Sequence, residues 1–154
     1  MNGAPGQIAL SANARDLARH FRIGPSRRGY DDRSYTHLVE AFAGIGLRPY
    51  APVHPKFTYP SGGDLSASWV RRTRICGDSW SGVDVPLSEA FEAYQVRVVA
   101  GGALRREIVV SQPQWTYPAA QMVADGVGQS FEIHIAQLSD QFGPGPFTRM
   151  VVNV

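Results

Sequence analysis

The chain has 154 residues, 44% hydrophobic and 18% charged, with a formal net charge of +2. This composition excludes a disordered tail, and the weak positive charge argues against a nucleic-acid partner, which needs clustered lysines and arginines. The single cysteine, Cys76, excludes a disulfide within the chain, and the lack of a long apolar run predicts no membrane span.

Residues 1–52 differ in character from the rest and predict an N-terminal attachment segment. Apolar residues spaced two apart indicate short strands there. These residues are Ile8 and Leu10, then Phe21 and Ile23. Residues 13–20 fit either a helical turn or a bulged strand. The segment is therefore expected to be rich in β-structure.

The stretch from residue 35 to residue 42 admits two interpretations. Alternate positions from Tyr35 to Ala41 fit a strand. Ser34, however, is a fair helix N-cap, and the apolar residues from Leu38 to Ile45 recur at helical spacing. A short helix is at least as well supported as a strand.

From residue 53 onward, extended segments recur at the spacing of an antiparallel sandwich. The predicted strands are 56–59, 65–71, 94–99, 104–110, 115–117, 131–138 and 147–154. Gly101 and Gly102 predict a two-residue hairpin turn, because glycine tolerates the positive φ that such turns demand. Residues 118–123 predict one helical turn that starts at a proline.

The alternation along these strands predicts an all-β fold in which two sheets meet face to face. Trp69 is expected at the centre of the core, where it contributes roughly 3–5 kcal/mol, judged by the usual cost of a Trp→Ala change. The predicted domains are residues 1–52 and 53–154.

Nothing in the residue pattern predicts catalysis, a cofactor or a metal. The histidines form no pair at metal-ligand spacing, and no second cysteine completes a zinc site. They are His20, His37, His54 and His134. The acidic residues are scattered, and no pair can be placed across a cleft. Ser79 lacks the Gly-x-Ser-x-Gly surroundings of a nucleophile. The chain is therefore predicted not to be an enzyme.

Three arginines, Arg71, Arg72 and Arg74, lie close together in the sequence. Strand alternation is expected to send Arg71 to the opposite face from the other two, which argues further against a nucleic-acid site.

The aromatic residues fit either a sugar-binding platform or the core and interfaces, and the second interpretation is favoured. Trp80, in the long loop of residues 77–93, and Phe142, beside a Gly-Pro turn, are the candidates for contact with a receptor or partner.

Two motifs from residue 52 onward resemble the fibronectin type III family. LSASW at 65–69 is similar to its second strand with the core tryptophan, and FEIHIAQ at 131–137 followed by GPGP at 143–146 resembles its last hairpin. The loop between Cys76 and Tyr94 is longer than that family has. The resemblance implies a fibronectin type III-like antiparallel β-sandwich over residues 53–154.

A further resemblance covers nearly the whole chain. Ordered segments are similar to the C-terminal region of host-specificity ("megatron") tail-tip proteins of gene transfer agents and long-tailed phages. The segments are FRIGP at 21–25, GLRPYAPVH at 46–54, SWVRRTRI at 68–75, DSW and DVPL within 78–87, and WTY at 115–117.

This second resemblance implies a non-catalytic structural component of the distal tail, located in the virion. It also implies docking on other tail-tip or hub proteins and a homo-oligomer, expected to be a trimer. The alternative is a module at the tail tip that binds a host receptor or surface glycan.

Overall fold

The computed structural model describes residues 10–60, 63–77 and 84–153. By its internal contacts the chain divides into two compact units, Met1–Gly46 and Leu47–Val154. The boundary between the two units therefore lies between residues 46 and 47, a few residues before position 52. The assignment of residues 1–52 as an attachment domain stays a prediction.

The first unit contains an antiparallel pair, β1 (Arg19–Ile23) and β2 (Thr36–Glu40). A 3-10 turn, Ala12–Ala14, precedes the pair, and a second, Ile45–Leu47, follows it. The strand interpretation of residues 35–42 is therefore correct and the helical one is wrong. Pairing with β1 supplies the backbone hydrogen bonds that the local spacing alone could not assign.

Ser34 is part of a turn and does not cap a helix. Its backbone N–H and its hydroxyl both donate to the carboxylate of Asp32, over 3.0 and 2.8 Å. Leu10 lies outside any strand, and Ile8 falls outside the described residues. The expected early strand is therefore not seen at Leu10.

The second unit is a sandwich of two antiparallel sheets. Its strands are β3 (Val53–Thr58), β4 (Leu65–Val70), β5 (Tyr94–Ala100), β6 (Ala103–Val110), β7 (Gln114–Tyr117), β8 (Ser130–Ser139), β9 (Gly143–Pro144) and β10 (Thr148–Asn153). One sheet has the order β3-β4-β7 and the other β10-β8-β5-β6, with β9 beside β8. The predicted all-β sandwich is confirmed.

Alternation along the central strands builds the core between the sheets. In β4 the residues Leu65, Ala67 and Trp69 are buried and their neighbours are exposed. The ring of Trp69 packs edge-on against Tyr94 of the facing sheet, with centroids 5.2 Å apart. Trp69 is therefore a core residue, as predicted.

The connections follow the predicted turn chemistry. Gly101 and Gly102, between β5 and β6, have φ values of 60° and 75°. Helix α1 (Ala119–Ala124) follows Pro118, which takes the N-cap position. Across the described ranges, no helix is long and apolar enough to cross a bilayer.

Candidate functional site

Several connections of the sandwich gather at one end. Tyr94, where β5 begins, pairs with Gln137 of β8, and Thr148, where β10 begins, pairs with Ile135 of the same strand. The β4–β5 and β8–β10 connections therefore leave the same end of the sheet. We call this the loop end; its described residues are 47–52, 71–77, 84–93 and 140–147.

Arg71 joins the two described parts of the β4–β5 connection. Its guanidinium donates to the carboxylate of Asp84 over 2.7 Å and to the backbone carbonyl of Val85. Strand β4 ends at Val70, so the expectation that alternation carries Arg71 away from the other arginines is wrong. Alternation governs side-chain direction only while the backbone stays extended.

Arg72 and Arg74 hold further segments to the same end. Arg72 donates to the carbonyl of Ala51 over 2.8 Å, and its guanidinium lies 5.2 Å from the ring centre of Tyr50. Arg74 forms a 2.6 Å ion pair with Glu89, whose side chain is 3% exposed. The three arginines therefore hold separate loop segments together.

A shallow concavity of ≈ 260 Å³ opens beside these ties. Its lining residues are Tyr50, Arg71, Arg72, Thr73, Gly77 and Val85. Asp84 and Glu89 offset two of the nearby positive charges. An aromatic ring beside partly offset positive charges suits a polar partner that can stack on the ring.

One of the two predicted contact residues lies at this end. Phe142 is half-buried, and the guanidinium of Arg74 lies 6.0 Å from its ring centre. Trp80 falls outside the described residues, so its contact role stays a prediction. Three further aromatics belong to the core: Tyr94 and Tyr117 are fully buried, and half-buried Trp115 stacks on Tyr117 at 4.8 Å.

Within the loop end, the segment that precedes β3 is held against the β8–β10 connection. A Cβ on Gly145 would lie 2.3 Å from the carbonyl oxygen of Pro49, so only glycine fits there. The Gly145 N–H donates to the carbonyl of Gln137 over 2.9 Å, and the Thr148 hydroxyl donates to the carbonyl of Pro52. Residues 47–52 are therefore part of the sandwich.

A charged network lies on another part of the sandwich, near α1. Arg106 donates two hydrogen bonds to Asp125, over 2.6 and 2.9 Å, and the hydroxyl of buried Tyr117 donates to the same carboxylate. The bonds from Arg106, followed by that from Tyr117, hold the pKa of Asp125 below its usual value against the opposing effect of burial. Burial and the bond to Asp125 raise the pKa of Tyr117. This network was not predicted from the sequence, because its three residues lie on separate elements.

Strand pairing in the first unit brings two histidines together. His20 Nδ1 and His37 Nε2 are 3.0 Å apart, although the residues lie 17 positions apart in the chain. Sequence spacing does not reveal this pair, because the β1–β2 register that creates it is not local. Elsewhere, His134 contacts Glu132 over 2.6 Å. No group of three or more potential ligands was found within the described residues.

No protein-family profile matches the sequence. No curated protein matches it either.

Solved structures do match. Domains d3–d4 of the rat CD45 extracellular region align over 99% of this chain and 71% of theirs, at 8% identity and a TM-score of 0.51. The FN5 domain of Drosophila Lar aligns over 69% of this chain and 96% of its own, at 18% identity and a TM-score of 0.42. An FN3 domain of human collagen XX aligns over 69% and 91%, at 16% identity and a TM-score of 0.43.

At identities this low, the likeness to these structures bears on the fold alone. The three-stranded sheet β3-β4-β7 faces a sheet of order β10-β8-β5-β6, with the core tryptophan on the second strand. The second unit is therefore a fibronectin type III-like β-sandwich.

Proposed function

We propose that this protein is a non-catalytic structural component of the distal tail of a long-tailed phage or gene transfer agent. The ordered motifs that resemble those of host-specificity tail-tip proteins are the reason for naming this particle. The observation that carries the proposal is an apolar face in the first unit whose described side chains are exposed to solvent, next in sequence to the sandwich.

That face belongs to the β1–β2 pair. Phe21 lies opposite Leu38, and Ile23 lies two positions along on the same side. Phe42 packs edge-on against Phe21, with centroids 5.8 Å apart. We call Phe21, Ile23, Leu38 and Phe42 the hairpin apolar face.

Much of the hairpin apolar face is open to solvent. Ile23 is 61% exposed, Phe42 46% and Leu38 39%. A lone two-stranded ribbon is marginally stable in water at best. Burial of this face against another protein would stabilise both the ribbon and the assembly. The partner we assign is a tail-hub protein of the same particle, on which this chain sits as a homotrimer.

The test separates docking from folding. Ile23→Asp and Leu38→Asp place a charge on the hairpin apolar face, whereas Val109→Asp does so at a 62% exposed site on β6 of the sandwich. We expect the first two variants to lose co-purification with the hub protein and incorporation into particles, and the third to retain both. Particle assembly by all three variants at the unsubstituted level would contradict the proposal.

Two further measurements bear on the same proposal. Light scattering on the purified chain should report a trimer, and a reconstructed particle should show the chain at the distal tail. Clearing of cell-wall material by the purified chain in a zymogram would contradict the non-catalytic assignment.

The loop end supports a second candidate function, binding of a host receptor or surface glycan. It presents Tyr50 beside a concavity whose positive charges are partly offset, and Phe142 lies within the same set of connections. Trp80→Ala and Phe142→Ala distinguish the two functions. Lost adsorption with normal assembly favours receptor binding, whereas lost assembly favours the structural role.

A further inference from the structure

The polar side of the β1–β2 pair carries a feature that the structural role does not use. His20 lies opposite Val39, and His37 lies opposite Arg22, so both histidines project from the same face. They are diagonal neighbours across the two strands, a separation that long side chains can bridge. Both are exposed to solvent.

Their ring nitrogens are separated by the distance that two ligands on one metal ion require. The Nδ1 of His20 and the Nε2 of His37 are 3.0 Å apart. Two imidazoles bound at about 2.0–2.1 Å, at angles between square-planar and tetrahedral, place their nitrogens about 2.9–3.4 Å apart. From these observations we propose that His20 and His37 form a two-imidazole site for a late first-row divalent metal ion, such as Ni²⁺, Cu²⁺ or Zn²⁺.

The present ring orientation is that of a hydrogen bond, and metal binding requires both rings to turn. The two rings are inclined by only 12°, with centroids 5.2 Å apart, so the facing nitrogens share one proton in a hydrogen bond. A metal ion takes the place of that proton and accepts a lone pair from each nitrogen. Each ring must turn by about 40° to aim its lone pair at an ion about 2.0–2.1 Å away, a rotation that exposed side chains make readily. Water completes the coordination on the open side.

The neighbouring charges permit a cation here. Arg22 is the other cation on this face, and its guanidinium is directed to the carbonyl of Tyr30 over 2.6 Å and lies 4.0 Å from Asp31. Neither histidine forms another hydrogen bond to any residue described here. Among the contacts of the described residues, metal binding therefore displaces only the hydrogen bond between the two rings.

The test uses the full chain without a polyhistidine tag and titrates it with NiCl₂ or ZnCl₂ in a calorimeter. We expect saturable binding that His20→Asn and His37→Asn each weaken by about tenfold or more, since loss of even a supporting partner of a ligand costs ~10–100-fold. The control is His54→Asn, which removes a histidine of the sandwich. Asparagine tolerates the positive φ of 49° at that position.

A second measurement locates the metal directly. Substoichiometric Ni²⁺ should broaden the ring proton resonances of His20 and His37 before those of His54 and His134. Circular dichroism checks that each variant keeps its strand signal, and glutamine replaces asparagine where it does not. Absence of saturable binding, or binding that both substitutions leave unchanged, would overturn the proposal.

Discussion

At the scale of single residues, the contacts between Asp125, Arg106 and Tyr117 tie the turn after α1 to strands β6 and β7. The carboxylate accepts two bonds from Arg106 and a third from Tyr117. Tyr117 is fully buried, so its hydroxyl has no water to replace this acceptor. The ionised carboxylate is thus part of the folded structure.

We predict that Asp125→Asn destabilises the sandwich in a pH-dependent way. The folded-state pKa lies below the usual 3.8, so the carboxylate stabilises the fold above that pH. This contribution is lost as the pH falls through the lowered value. The variant should lose about 1–2 kcal/mol of unfolding free energy near pH 7, and the difference should shrink as the pH falls below 3.8.

Urea unfolding followed by tryptophan fluorescence measures this difference. Asp140→Asn is the control, because it removes a carboxylate from an exposed position in the β8–β10 connection. A deficit at Asp125→Asn that stays constant from neutral to acid pH would show that the ionised form is not what stabilises the turn.

At the scale of elements, strand β4 shows how one alternating pattern divides its side chains. Trp69 is 4% exposed and packs against Tyr94, whereas the next residue, Val70, is 52% exposed. Adjacent side chains on an extended strand point to opposite faces, so these neighbours lie in opposite environments.

We predict that Trp69→Ala costs roughly 3–5 kcal/mol of unfolding free energy, because it leaves a cavity between the sheets. Val70→Ala, on the same strand, should change stability by no more than about 0.5 kcal/mol. Chemical denaturation followed by far-ultraviolet circular dichroism gives both values. Similar losses at the two positions would mean that β4 does not present a single buried face.

At the scale of the whole molecule, the segment before β3 belongs to the sandwich unit. Pro49 and Pro52 are fully buried, and Arg72 and Thr148 donate to carbonyls of this segment. The close approach of Pro49 to Gly145 fixes the segment against the β8–β10 connection.

We therefore predict that a fragment of residues 47–154 is more stable than one of residues 53–154, by about 1–3 kcal/mol, the usual effect of a lost packing contact. Thermal and urea unfolding of the two fragments measure the difference. Gly145→Ala in the longer fragment should lower stability similarly, whereas Gly128→Ala, where an added Cβ meets nothing within 4 Å, should not. Equal stability of both fragments would show that the segment is dispensable.

Much of the sandwich could be predicted from local patterns. The alternation in β4, β5 and β8 reports burial on one face, and the positive φ at Gly101 and Gly102 follows from a requirement of the turn itself. The candidate site was harder to predict from the sequence. The loop end depends on which strands are neighbours, and the place of Arg71 depends on where β4 stops.

The sequence by itself determined the class of fold, the core tryptophan and the turns, because these depend on residues a few positions apart. Only the tertiary structure decided that residues 36–40 form a strand, that three arginines tie loops together, and that His20 meets His37. Each of these depends on strand register or on a contact between distant segments, which local spacing does not encode.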